Sequence, residues 1–149
     1  MYSLLRTDSN DEGFKELVRL LDLELKEIDG EDHLFFAQFN KIAEIKNVVV
    51  AYYDNRAIGC GAIKPFASDT MEVKRMYVAE EFRGKAIAFS ILKELETWAT
   101  ALGYSKTILE TGKKQVAAVK LYQKSGYSVI PNYGQYAEIE TSICMIKNL

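Results

Sequence analysis

The stretch Arg83-Gly84-Lys85-Ala86-Ile87-Ala88 combines residue types that can grip a linked pair of phosphates. Downstream, Ile87, Ile91, Leu92, Leu95, Trp98, Ala99 and Leu102 fall on one stripe. They predict a helix over Ala86–Leu102 that Gly103 stops. The six residues therefore open that helix. A helix start leaves its first amide N–H groups unpaired and carries the positive end of the helix dipole. Small residues let phosphate oxygens come close, Arg83 and Lys85 add positive charge, and a diphosphate is the natural ligand. Taken alone, the string also suits an ordinary basic surface turn, so the surrounding elements have to decide.

Those elements read as an alternation of strands and helices. Tyr2–Arg6 predicts a short strand, and Ser9 or Asn10 can cap the helix that follows. Phe14, Leu17, Val18, Leu21, Leu25 and Ile28 share one face of that helix, and Gly30 can end it. Asn47–Tyr53 is a β-branched run, Asp54-Asn55 marks a turn, and Arg56–Pro65 is the next strand. Thr70–Val78 is a third, but Val73 and Met76 are both apolar and three apart. A β-bulge near Lys74–Arg75 restores the alternation. Lys106–Glu110 is a strand, Gln115–Ser125 a helix closed by Gly126, and Tyr127–Ile130 and Glu138–Lys147 complete the sheet. The expected architecture is α/β: a mixed sheet flanked by helices, in one domain over residues 1–149.

Composition narrows the function classes. Apolar residues make up 48%, enough for a sizeable core, and a net charge of −2 with interspersed signs builds no basic stripe for nucleic acid. Cys60 and Cys144 lie far apart, read most simply as buried small residues, and His33 is the single histidine, so no metal site is expected. No apolar run is long enough to span a bilayer, and the N-terminus has no signal-peptide pattern. The expectation is a soluble, reduced, cytoplasmic protein with no nucleic-acid or membrane partner. A homodimer is left open.

Three motifs in order resemble the GNAT superfamily of acyl-CoA-dependent N-acyltransferases. Glu72-Val73-Lys74-Arg75-Met76-Tyr77-Val78 is similar to the family's bulged fourth strand. Arg83 to Ala88 resembles its coenzyme loop, with Ala86 where a glycine is usual. Leu121-Tyr122-Gln123-Lys124-Ser125-Gly126-Tyr127 is similar to its late helix and following strand. The match runs from about Val48 to Leu149. Alanine at Ala86 is expected to sit at negative φ in the first helical turn, where a Cβ does no harm.

The resemblance implies a cofactor and a geometry. Two parallel strands, Val73–Val78 and Lys106–Glu110, should splay apart to admit the pantetheine arm of acetyl-CoA. Main-chain groups of Met76, Tyr77 and Val78 should bind it. Arg83, Gly84, Lys85, Ala86, Ile87 and Ala88 should hold the pyrophosphate, with Gln115 and Ala118 on the next helix completing the coenzyme site. Glu72 is the implied general base and Tyr122 the implied acid that protonates the departing thiolate. A nearby backbone N–H should polarise the acetyl carbonyl.

Two segments are candidates for the acceptor. Asp29–Asn40 mixes acids, the one histidine and three phenylalanines. Within it Glu31 and Asp32 can draw a cationic amine, while His33, Phe36 and Phe39 can line its pocket. The same stretch equally suits a short helix whose aromatics pack on the core. Ile130-Pro131-Asn132-Tyr133-Gly134-Gln135-Tyr136 is a rigid loop that a subset of relatives shares in similar form. Tyr133 and Tyr136 either face the acceptor or order the loop itself. The expected activity is direct acetyl transfer to a primary amine of a small molecule. A protein or peptide N-acetyltransferase and a non-catalytic acyl-CoA-binding regulatory module are the alternatives.

Overall fold

The computed structural model describes residues 1–29 and 44–149, without the side chain of Asp29. The sequence-based readings at Glu31, Asp32, His33, Phe36 and Phe39 lie outside the described residues.

Seven strands form one mixed sheet in the order β1-β2-β3-β4-β5-β7-β6. They are β1 (Ser3–Thr7), β2 (Asn47–Tyr53), β3 (Arg56–Ala67), β4 (Thr70–Val78), β5 (Lys106–Gly112), β6 (Ser128–Ile130) and β7 (Ser142–Asn148). Three described helices flank it: α1 (Glu12–Asp29), α2 (Ile87–Ala101) and α3 (Val116–Lys124). β1 to β4 form an antiparallel series, the β4–β5 pair is parallel, and β7 inserts antiparallel between β5 and β6. The expected α/β mixed sheet flanked by helices is what forms.

The core is split by the sheet. On one face Phe14, Leu17 and Val18 of α1 pack on Val48, Val50, Cys60 and Ala62. On the other, Ile91, Leu92 and Leu95 of α2 pack on Val49, Ile63, Met71, Leu109 and Met145. Gly61 allows α2 to approach, since a Cβ there would lie 2.8 Å from Leu95 Cδ1. The predicted α2 stripe is buried at Ile87, Ile91, Leu92, Leu95 and Ala99, but Leu102 ends up exposed just past the helix.

The turn and the bulge form where the sequence places them. Asp54 (φ 51°) and Asn55 (φ 64°) are both left-handed, as a two-residue hairpin requires. In β4, Cys60 pairs with Tyr77 and Ala62 with Lys74, so Arg75 and Met76 together face Gly61. Arg75 takes φ 60° at this bulge.

Two expectations are corrected. The α1 cap is Asp11, not Ser9 or Asn10: Phe14 N donates to Asp11 Oδ1 at 2.9 Å, and Tyr52 Oη donates to the same oxygen at 2.7 Å. Ser9 Oγ instead accepts from Ile45 N at 3.0 Å, tying down the chain that enters β2. The last strand begins at Ser142, not Glu138. A short 3-10 turn, Gly134–Tyr136, and a further turn precede it, and Asn132 Nδ2 fixes them by donating to the carbonyls of Ile139 and Ser142.

Candidate active site

β4 and β5 pair over only three positions, Thr70–Lys106, Met71–Thr107 and Glu72–Ile108. Beyond Glu72 the two strands separate, although β4 runs on to Val78 and β5 to Gly112. The bulge at Arg75 turns β4 away, and Gly112 ends β5 at the mouth of the gap. Among the described residues, main-chain groups on the facing edges of Val73–Val78 and Leu109–Gly112 have no strand partner in the sheet, and buried main-chain groups seek partners. A cavity of about 570 Å³ opens at this split.

The start of α2 lies at one end of the cavity. Ser90 N makes the first helical hydrogen bond, to Ala86 O at 3.1 Å, so the amides of Ile87, Ala88 and Phe89 come before the ladder. Among the described residues no side chain caps them. Ala86 is left-handed, at φ 63° and ψ 18°, not at negative φ as expected. A left-handed residue followed by a helical one turns successive amides into a concavity that suits an anion. This conformation costs alanine about 1 kcal/mol, strain of a kind that concentrates at functional sites. Gly84 (φ 79°) would carry a Cβ into open space, so its constraint is conformational and its surface stays clear.

The basic residues of this loop diverge. Arg83 Nε donates to Val78 O at 2.8 Å, and its guanidinium pairs with Glu24 of α1 at 2.9 Å and lies over the Tyr77 ring. Arg83 therefore braces the loop against β4 and α1. Lys85 lies over Phe82 and does not line the cavity, unlike Gly84, Ala86, Ile87 and Ala88. Met76, Tyr77, Val78, Gln115 and Ala118 do line it.

Glu72 sits at the apex of the split and is buried, with 5% exposure. Its Oε2 accepts from Tyr133 Oη at 2.7 Å. Lys74 Nζ lies 4.0 Å from Oε1. Burial, and then the Glu72 charge, pushes the Tyr133 phenol far above its ordinary value, so Tyr133 is a donor at neutral pH. The Tyr133 ring packs edge-on against Phe66 and Tyr136, which seats the loop over β4. Tyr136 is buried and lines the cavity, whereas Tyr133 reaches it through Glu72.

Tyr122 of α3 is buried in the cavity wall, edge-on to Tyr127. Burial first, and the Glu110 charge second, raises its phenol pKa. Its proton is held more tightly than a free phenol's, so the gap to an ordinary thiol is wider than reference values suggest.

Sequence reasoning missed several lining residues. Glu110 accepts from Ser142 Oγ at 2.6 Å and faces the cavity from β5. Lys74 and Arg75 face it from the bulge, and Leu21, Glu24, Leu25 and Ile28 from α1. The α1 residues had a signal, the apolar face running past the end of the core. Cys60 and Cys144 are both buried, and burial pushes the Cys60 thiol up to about 12, which makes it inert. Among the described residues no three metal-ligating side chains gather, and no helix is long and apolar enough to cross a membrane.

Known proteins are similar to this chain in sequence and in fold. The model of the acetyltransferase (GNAT) family matches residues 14–127. An IAA acetyltransferase of Azospirillum brasilense is 34% identical over 127 residues, covering 78% of this chain and 81% of the relative. A Klebsiella pneumoniae structure provisionally described as an acyl-CoA N-acyltransferase superposes with a TM-score of 0.84 at 25% identity, covering 100% of this chain and 98% of that one. A GNAT family acetyltransferase from Elizabethkingia anophelis with acetyl-CoA bound gives 0.71 at 21% identity, covering 99% and 98%. With the split sheet, the uncapped start of α2 and these matches, the chain belongs to the acetyltransferase (GNAT) family and is an acetyl-CoA-dependent acyltransferase.

Proposed function

We propose that this enzyme transfers the acetyl group of acetyl-CoA directly to the primary amine of a small molecule, with Glu72 as base and Tyr122 as acid. The observation that carries this reading is the buried carboxylate of Glu72 at the apex of the β4–β5 split, where a thioester threaded between the strands would end.

The amide cluster at Ala86–Ala88 holds the pyrophosphate, and the open edges of β4 and β5 hold the pantetheine. Acetyl-CoA supplies the activated acyl carbon. An amine with a pKa near ~10.4 costs roughly 4–5 kcal/mol to deprotonate at neutral pH. Glu72 takes that proton directly or through water. The amine nitrogen bonds to the carbonyl carbon, a main-chain N–H of the opened strand steadies the oxygen, and the C–S bond breaks. Tyr122 gives its proton to the thiolate, a transfer that its buried site makes harder in the free enzyme than for an open phenol.

A small acceptor is favoured by the seated loop at Tyr133–Tyr136, which covers β4 beside Glu72. We infer a cytoplasmic setting from the two unpaired cysteines. Thiol release from acetyl-CoA across a panel of small amines and peptides tests the reading. Turnover with small amines supports it, turnover with peptides alone replaces the acceptor class, and saturable coenzyme binding without turnover identifies a sensor.

A further inference from the structure

The bulge of β4 brings Lys74 and Arg75, which the acetyl-transfer steps do not use, to the same cavity as Glu72. Lys74 has a side chain only 12% exposed, yet no carboxylate oxygen among the described residues comes closer to its Nζ than the 4.0 Å of Glu72 Oε1. That distance is too long for a hydrogen bond. Arg75 has a side chain 4% exposed; its Nη1 bonds Asp22 Oδ1 at 2.7 Å, while its buried Nη2 has no hydrogen-bond partner among the described residues. A third cation, Lys64, stands directly opposite Glu72 in the β3–β4 register. Two neighbouring cations with unmet hydrogen-bonding capacity in one cleft are costly unless an anion joins them.

The surrounding charges sharpen this. Burial first pulls the Lys74 ammonium down from its ordinary value; Glu72 and Glu110 push it up, and Lys64 and Arg75 pull it down further. Asp22 is engaged by Arg75, Glu72 by Tyr133, and Glu110 by Ser142. A simple cationic amine approaching Glu72 would bring its charge beside Lys74 and Arg75. An amine that carries its own carboxylate would not.

We propose that the acceptor is an amine bearing a carboxylate on the neighbouring carbon, an α-amino acid in chemical class, with Lys74 as the carboxylate's anchor and Arg75 reinforcing the positive field. Glu72 Oε1 and Lys74 Nζ lie side by side, 4.0 Å apart, and an α-amino acid offers an amine and a carboxylate joined through a single carbon. Glu72 Oε1 meets the amine and Lys74 Nζ the carboxylate, which also relieves the repulsion among the cations. The assignment rests on the acetyl-transfer reading of this cleft.

The test compares thiol release with the proteinogenic amino acids, their methyl esters and the corresponding decarboxylated amines. Wild type, Lys74→Gln and Lys74→Arg are assayed, with an acetyl-CoA titration of each protein run in parallel. The wild type should prefer at least one free acid over its ester by about ten-fold or more in kcat/KM, the scale of one charge-assisted hydrogen bond. Lys74→Gln should erase that preference chiefly through KM, and Lys74→Arg should keep most of it. Esters or simple amines used as well as the acids overturn the assignment, as does a preference that survives in Lys74→Gln. Saturable acetyl-CoA binding with no turnover of any free acid also overturns it. Loss of coenzyme binding by the wild type sinks the acetyl-transfer reading itself, an outcome the parallel titration makes distinguishable.

Discussion

Tyr133 and Glu72, 61 residues apart in sequence, share a 2.7 Å hydrogen bond in which the phenol donates to Oε2. One carboxylate oxygen is thereby fixed, and the other, Oε1, lies 4.0 Å from Lys74 Nζ. Tyr133→Phe keeps the ring that packs on Phe66 and Tyr136 and removes only the donor. Leaving a buried carboxylate oxygen without its partner costs about 1–3 kcal/mol. Turnover should fall about ten-fold or more while the acetyl-CoA dissociation constant stays within about two-fold. An equal loss of coenzyme affinity would mean that the loop, rather than the hydrogen bond, had been disturbed.

Tyr122 makes a complementary case. Its phenol is buried against Tyr127 and keeps its proton throughout the neutral range. Tyr122→Phe preserves the edge-on ring contact and should lower kcat by about 10²-fold, at the lower end of general acid–base effects, with little change in coenzyme affinity. Unchanged kcat with a lowered melting temperature would assign the residue to packing alone.

The positions of these two tyrosines were legible to different degrees. Tyr122 lies on a regular helix inside a motif, so its place in the chain fixed its place in space. Tyr133 lies on a loop whose course depends on Asn132 reaching the carbonyls of Ile139 and Ser142, contacts that no local pattern encodes. The bulge at Arg75 was visible as a break in alternation, yet which face Lys74 and Arg75 would take follows only once the extra residue is placed opposite Gly61. At the start of α1, Ser9, Asn10 and Asp11 are all good caps, and the choice falls to Tyr52, a strand residue that bonds Asp11 from across the sheet. Asp11→Ala should therefore cost about 1–2 kcal/mol by denaturant unfolding, the upper range for losing a cap. Asp11→Asn should recover much of it, and equal losses in the two variants would point away from capping.

Cys60 gives a pH signature. Its thiol is fully buried, its Sγ lies 3.3 Å from the Arg75 carbonyl, and burial lifts its pKa from the ordinary value near 9 to about 12. Below about pH 9 both the folded and unfolded chains keep this proton, and the folded state has its full advantage. Between about pH 9 and 12 only the unfolded chain releases it, so stability falls with rising pH by up to about 1.4 kcal/mol per unit from this group. Tyr122, Tyr127, Tyr133 and Tyr136, whose phenols are also raised chiefly by desolvation, add a fall of the same sign. Urea unfolding from about pH 8 to about pH 11 should show a steeper decline for wild type than for Cys60→Ala, which keeps the tyrosines and removes the thiol. Parallel declines would mean that the thiol titrates alike in both states.

Ala86 tests whether the turn ahead of α2, the proposed phosphate site, is built by conformation or by side chain. It holds φ 63° at the head of α2, two residues after Gly84 at φ 79°. Glycine adopts that conformation freely, so Ala86→Gly removes about 1 kcal/mol or more of strain. Part of that gain is lost to the greater freedom of glycine in the unfolded chain, leaving about 0.5–1 kcal/mol of net stabilisation. The melting temperature should rise by about 1–4 °C. Because the amides of Ala86, Ile87 and Ala88 keep their directions, acetyl-CoA should bind at least as tightly as to wild type. Gly84→Asp is the opposite perturbation: it forces a Cβ into a left-handed site and sets a negative charge at the proposed diphosphate site, and it should weaken coenzyme binding by about ten-fold or more. If Ala86→Gly lowers the melting temperature, the left-handed turn holds no strain at Ala86; if Gly84→Asp leaves the titration unchanged, the diphosphate does not rest on this turn.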